Sequence, residues 1–173
     1  VYAYISYEES IPQVVITKNS GVIGIDINAS PFHLALAEVS RDGNLVGYQS
    51  ISLHELIGKK REQREYIAWH IAHRITDMAL ERRRAIAIER LAGMPKGYRG
   101  DGRAKLRKRF HQWAYRSILE KIKVLAKRKG IEVIEVYPAY TSVIGSLKYA
   151  PMYNIDKDIA GAYVIGRRAL GFK

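Results

Sequence analysis

The chain predicts an α/β domain built on a mixed five-stranded sheet, in the order β-β-β-α-β-α-β-α, with helices on both faces. Three observations predict it. Short apolar runs of strand length alternate with longer segments of helical period. The first three strands follow one another through turns, whereas the last two are reached through helices, so antiparallel and parallel neighbours share one sheet. Acidic residues also stand inside or at the ends of these apolar runs, where a carboxylate is costly unless it is paired or holds a metal ion.

Residues 1 to 7 alternate in a strand-like way through Tyr2 and Tyr4, and 8 to 13 read as a turn or linker. A further strand is expected at 14 to 17, before a Lys-Asn-Ser-Gly turn. Residues 1 to 20 are therefore expected to be the tail of a preceding β domain, and 21 to 173 the main domain. That domain opens with strands at 22 to 28 and 32 to 39, joined to a third at 45 to 52 by Ser40-Arg41-Asp42-Gly43-Asn44. Asp-Gly followed by Asn tolerates the left-handed backbone angles of a hairpin. A helix over 61 to 82 carries the stripe Ile67, Ile71, Ile75 and Met78, at helical spacing. Strand four is 85 to 90, and a Gly-rich basic loop covers 92 to 102. A second helix, 103 to 129, aligns Phe110, Ala114, Ile118, Ile122 and Leu125 and stops at Gly130. Strand five is 131 to 136, and the last helix is 155 to 170, capped by Asn154 or Asp156.

The 173 residues suffice for one domain with a substantial core, and 47% apolar content argues against disorder. The formal charge of +12 favours a polyanionic partner, nucleic acid first. The absence of cysteine excludes disulfides and thiolate zinc sites. No apolar run reaches transmembrane length, so no membrane partner is expected. The first residues lack a Met and the layout of a signal peptide; the expectation is a cytoplasmic domain excised from a longer protein.

Asp26 lies within Val22-Ile23-Gly24-Ile25-Asp26-Ile27, Glu89 ends Ala85-Ile86-Ala87-Ile88-Glu89, and Asp158 opens Asp158-Ile159-Ala160-Gly161-Ala162. Together they predict one carboxylate cluster for divalent metal, and in so basic a chain the matching substrate is a phosphodiester. Mg²⁺ takes hard oxygen ligands and keeps several waters, which suits carboxylates. Two such ions about 3.5–4 Å apart activate a water and stabilise the leaving oxygen. Asp26, fixed by a mid-sheet strand, is the expected bridge, with Glu89 and Asp158 each completing one Mg²⁺ (or Mn²⁺). The helix dipole keeps Asp158 ionised, and the small residues after it let that helix approach the sheet. Asp156 competes for the same role. The plain alternatives are a hydrogen-bonded structural Asp26, a Glu89 paired with Arg90 or Arg84, and an ordinary first-turn Asp158.

Three local words sharpen this reading. "GIDIN" holds Asp26, "AIAIERLAG" holds Glu89, and "VYPAYTSVIG" precedes "DKDIAGAYVIGRRALG" with Asp158. In their order they resemble the RNase H-like fold in its RuvC version, and the TnpB/OrfB transposon-associated family related to type V CRISPR effectors. The resemblance covers about residues 20 to 173. It implies two divalent metals on Asp26, Glu89 and Asp158, and DNA hydrolysis guided by an RNA that leaves a 3′-hydroxyl. The chain departs from that family in three ways: Asn28 stands where Gly is common, "AGA" replaces "NAA", and Val143 to Tyr149 stand in place of a zinc ribbon. No zinc is expected. Two other readings keep the fold: a nucleic-acid-binding module with idle acids, and a transposase performing strand transfer.

The nucleic-acid contacts are expected on a basic stretch holding Arg90, Lys96, Arg99, Arg103, Lys105, Arg107, Lys108 and Arg109 against a single acid, Asp101, with Tyr98 stacking on a base. The bland reading of that stretch is a solvated loop. Lys59-Lys60-Arg61 and Arg82-Arg83-Arg84 read as solvated helix ends; Trp69, Phe110 and Trp113 read as core. His70 and His73 read as surface, and His33, His54 and His111 show no metal-ligand spacing. Pro138 to Ser142 read as a shaped turn in which Thr141 or Ser142 touches a phosphate.

Overall fold

The computed structural model describes residues 3, 5–29, 32–90 and 103–172, with side chains at all of these except 29 and 103–112. Its sheet comprises β1 (Val22–Ala29), β2 (Phe32–Val39), β3 (Leu45–Ser52), β4 (Ala85–Glu89) and β5 (Val133–Val136). The helices are α1 (Arg61–Glu81), α2 (Arg103–Arg128), α3 (Thr141–Ile144), α4 (Ala150–Tyr153) and α5 (Lys157–Ala169). A π-helical turn, Gly145–Tyr149, joins α3 to α4. The strand order is β3-β2-β1-β4-β5. The hairpin strands pair antiparallel, and β1–β4 and β4–β5 pair parallel. The expected mixed sheet is thus present, with β1 at its centre.

Alternation along the central strands sorts their side chains onto two unlike faces. On one, Ile23, Ile25, Leu34, Leu36, Ile86 and Ile88 bury against α1 and α2, which supply Ile71, Ile75, Ala114, Ile118, Ile122 and Leu125. Bulky side chains there stand between the sheet and the two helices. On the other face the strands offer Val22, Ala35, Ala37, Val39, Ala85 and Ala87, and α5 covers them. Small residues let α5 sit very close. A Cβ on Gly24 would stand 2.0 Å from the carbonyl oxygen of Ala162, so no other residue fits there without moving the helix. The hairpin is tied to the same helix, because the buried Tyr163 hydroxyl donates to Gly43 O (2.6 Å) and Arg167 Nη1 donates to it as well (2.7 Å).

Several expectations are corrected. Residues 14 to 17 form no strand; Ile16 makes a single parallel bridge to Ile131, and among described residues 3 and 5–15 none is in a strand. The fifth strand begins at Val133, not at 131. Residues 141 to 153 are helical throughout, because Pro151 sits at the first turn of α4 and Gly145 packs directly on Gly161 of α5. Arg82 and Arg84 are not free helix ends, since both bond the carboxylate of Glu38, at 2.8 and 2.9 Å. Trp69 is a surface ring beneath the Lys121 ammonium rather than core. Trp113 is half-buried against the core with the Arg64 guanidinium over it. His70 and His73 are exposed, as expected.

Candidate active site

Each of the three carboxylates is delivered by a different element to the α5 side of the sheet, at the carboxyl ends of β1 and β4. On β1 the face that meets α5 is read through Val22, Gly24 and Asp26. The parallel register with β4 runs Val22↔Ala85 to Ile25↔Ile88, so one step further sets Glu89 beside Asp26. Asp158 enters from the first turn of α5. Three residues on, one helical turn away on the same face, a Cβ on Gly161 would stand 2.8 Å from Asp26 Oδ2. Both Asp158 and Gly161 therefore face the strand-end acid. Of the two rival acids, Asp156 is the N-cap, accepting a hydrogen bond from the Asp158 backbone N–H at 2.8 Å, while Asp158 is the buried one.

The electrostatics describe one negative patch. Burial pushes Asp26 from an ordinary 3.8 up to about 7, and the charges of Glu89 and Asp158 push it the same way. Burial also raises Glu89, opposed by a hydrogen bond from Thr141 and by the charge of Arg168. Asp158 is raised by burial and by Asp156, and lowered by His33 and Lys157. The Tyr115 phenol, on α2, is raised by burial and then by the charges of Glu89 and Asp26. The buried amide nitrogen of Asn28 meets no acceptor at full hydrogen-bond geometry, although its side chain leans on Asp26 and favours the charged form.

Two supporting residues escaped sequence reasoning. His33 has no ligand spacing in the chain, yet β2 pairs it with Asn28 and brings its Nε2 to 3.5 Å from Asp158 Oδ2. The signal that could have found it is the antiparallel register of β1 and β2, which puts His33 opposite Asn28 two residues beyond Asp26. Thr141 was expected to touch a phosphate; instead it is buried, and its hydroxyl donates to Glu89 Oε1 at 2.5 Å. Its own backbone N–H reaches Pro138 O, so the turn after β5 aims the hydroxyl. Ser142 is exposed. Thr141→Val removes a hydrogen bond that favours ionised Glu89. The Glu89 carboxyl then rises further, and the acid limb of any Glu89-dependent activity moves to higher pH. A pH–rate profile of the variant checks this.

Among the described residues, no three His, Asp or Glu groups stand close enough together to ligate one ion as they are. The donor set nonetheless fits a divalent ion. Asp26, Glu89 and Asp158 offer only hard oxygen, and burial holds the proton affinity of all three above the usual carboxylate range, so each gains from a cation beside it. Of the expected nucleic-acid residues, Arg90 is exposed immediately after Glu89, its backbone N–H held by Val136 O. Lys96, Tyr98 and Arg99 lie outside the described residues. Arg103, Lys105, Arg107, Lys108 and Arg109 lie on the first turns of α2, and their side chains are outside the described set.

A hairpin of three antiparallel strands, two parallel crossovers, a central β1 and a final helix on the small-residue face define an RNase H-like fold. Solved structures with the same architecture bear RuvC names. The chain is similar to Thermus thermophilus RuvC, with 15% identity and a TM-score of 0.55, over 84% of this chain and 90% of that one. It is also similar to T. thermophilus RuvC in complex with Holliday junction substrate, at 18% identity and a TM-score of 0.52, over 84% and 89%. At such identities the likeness is one of fold. No family model and no curated protein matches the sequence. Among the described residues no helix is long and apolar enough to cross a membrane.

Proposed function

We propose that the protein is a divalent-metal-dependent endonuclease that hydrolyses DNA phosphodiesters. The observation that supports this reading is the placement of Asp26, Glu89 and Asp158 at one end of an RNase H-like sheet, where the charges of Glu89 and Asp158 both act on Asp26. Bound Mg²⁺ or Mn²⁺, in the two-metal manner, would supply Lewis acidity and an activated water. The chain's own part is to hold oxygen donors in place. Asp26 is fixed by β1, Glu89 is aimed by the Thr141 hydroxyl, and Asp158 is held between the cap at Asp156 and the imidazole of His33. The charges of Arg168 and Lys157 favour the ionised forms of Glu89 and Asp158. Arg90 and the basic stretch after it would track the phosphate backbone.

The RuvC relative bound to a Holliday junction makes branched DNA a sensible substrate to compare with duplex and single strand. The RNA-guided form of the activity rests on the three sequence words alone. The test is incubation of each end-labelled DNA with Mg²⁺ or Mn²⁺, with and without RNA that co-purifies. Metal-dependent breaks ending in 3′-hydroxyls support the proposal, and a requirement for that RNA supports its guided form. Joined strands on a transposon-end substrate would instead favour a transposase. Tight binding that ignores metal and yields no breaks would favour the binding module.

A further inference from the structure

We propose that a cavity beside the C-terminal half of α5 holds an unpaired nucleotide of a single strand, and so fixes the substrate relative to the carboxylates. This rests on reading the protein as one that acts on nucleic acid. The cavity measures about 370 Å³, within the range of small-ligand sites. Ile144, Tyr149 and Phe172 contribute apolar walls, and Lys148, Arg167 and Arg168 a cationic edge. Among the described residues none of these three cations has a carboxylate in ion-pair contact. An apolar slot edged by unpaired positive charge suits a flat base that carries phosphate.

The cavity's parts are held ready. The Arg167 guanidinium lies 5.5 Å from the Tyr149 ring centre and 4.8 Å from that of Phe172, while its Nη1 bonds Gly43 O; it braces the two rings. Lys148 and Tyr149 come from the π-helical turn, a form of helix found often at functional sites. Lys148 is an exposed residue whose Nζ lies over the Tyr149 ring at 5.0 Å.

A path leads from the cavity to the acids. Arg168 edges the cavity and donates to Tyr137 O at 2.8 Å. On the same loop the side chains of Tyr137 and Tyr140 are 71% and 73% exposed, and the next residue, Thr141, bonds Glu89. Exposed aromatic rings between cations form a platform on which bases stack irrespective of sequence. A strand lying over Tyr140 and Tyr137 would enter the cavity past Arg168.

The test is fluorescence anisotropy of a labelled oligothymidine strand, and of an abasic strand of equal length, in EDTA. Wild type should bind the thymidine strand about five-fold more tightly than the abasic one. Ile144→Trp, which fills the slot, should abolish that difference. Lys148→Glu should weaken both strands about ten-fold and reduce the salt dependence by about one phosphate contact. Equal affinity of wild type for both strands, or unchanged binding in both variants, overturns the proposal. Without metal no strand is cut, so this result is independent of the cleavage assay that tests the nuclease reading. Both substitutions are at partly or fully exposed positions, and thermal melting verifies that each variant is folded.

Discussion

Asp26→Asn should lower metal-dependent cleavage more than 100-fold while making the metal-free protein more stable at neutral pH. The loss follows from the role proposed for this carboxylate; even groups that merely support a metal's ligands cost about 10–100-fold when removed. The gain in stability follows from its acidity. A carboxyl group at an ordinary 3.8 in the unfolded chain and at about 7 in the fold keeps its proton in the native state when the unfolded state has released it. Stability is therefore unaffected by this group below about pH 4, falls as pH rises toward 7, and stays reduced above that. The full difference is on the order of 4 kcal/mol, less the relief from water at the exposed edge of the half-buried side chain. Asparagine carries no charge, so its melting temperature should vary less between pH 5 and pH 8 than that of wild type. Scanning calorimetry in EDTA across this range checks the sign. A variant that melts lower than wild type at pH 8 would mean that Asp26 is a satisfied structural acid.

Gly24→Val should cost about 3 kcal/mol or more and remove activity together with stability. The Cβ alone would overlap backbone atoms of Ala162 and Gly166, at 2.0 and 2.8 Å, and backbone cannot rotate away as a side chain can. Relief requires α5 to lift from β1, and α5 carries Asp158. Chemical denaturation measures the loss directly. Lost activity in a variant of unchanged stability would show that α5 can shift on its own. Gly47, on the edge strand β3, has only the end of the Glu38 side chain at 3.8 Å, so Gly47→Ala is the matched control and should be well tolerated.

The contrast between these glycines also shows what could be read from the chain. Binary patterning and the Asp42-Gly43 turn were enough to place the strands of the hairpin, because period-two alternation in a half-buried sheet leaves one register that buries the apolar set. The helical stripes of α1 and α2 were legible for the same reason. The small-residue run after Asp158 correctly signalled a helix pressed on the sheet. Contacts that depend on distant segments were not legible. His33 meets Asp158 across 125 positions of sequence, and Thr141 meets Glu89 across 52. Tyr115 on α2 feels the charges of Glu89 and Asp26, and its neighbour Ala114 gave the apolar stripe no hint of it. The helical character of residues 141 to 153 was hidden by Gly145 and Pro151, which usually mark breaks. Here Gly145 provides close contact with α5, and Pro151 sits where a helix start tolerates it.

The central claim is that Asp26, Glu89 and Asp158 form one divalent-metal site. Anomalous diffraction from a crystal soaked in Mn²⁺ tests it most directly, with Glu89→Ala as the control. The account predicts one or two Mn²⁺ peaks among the three carboxylates of the wild-type protein, lost or reduced in the variant. Saturating Mn²⁺ with no peak there, or a peak that the variant retains unchanged, would contradict it.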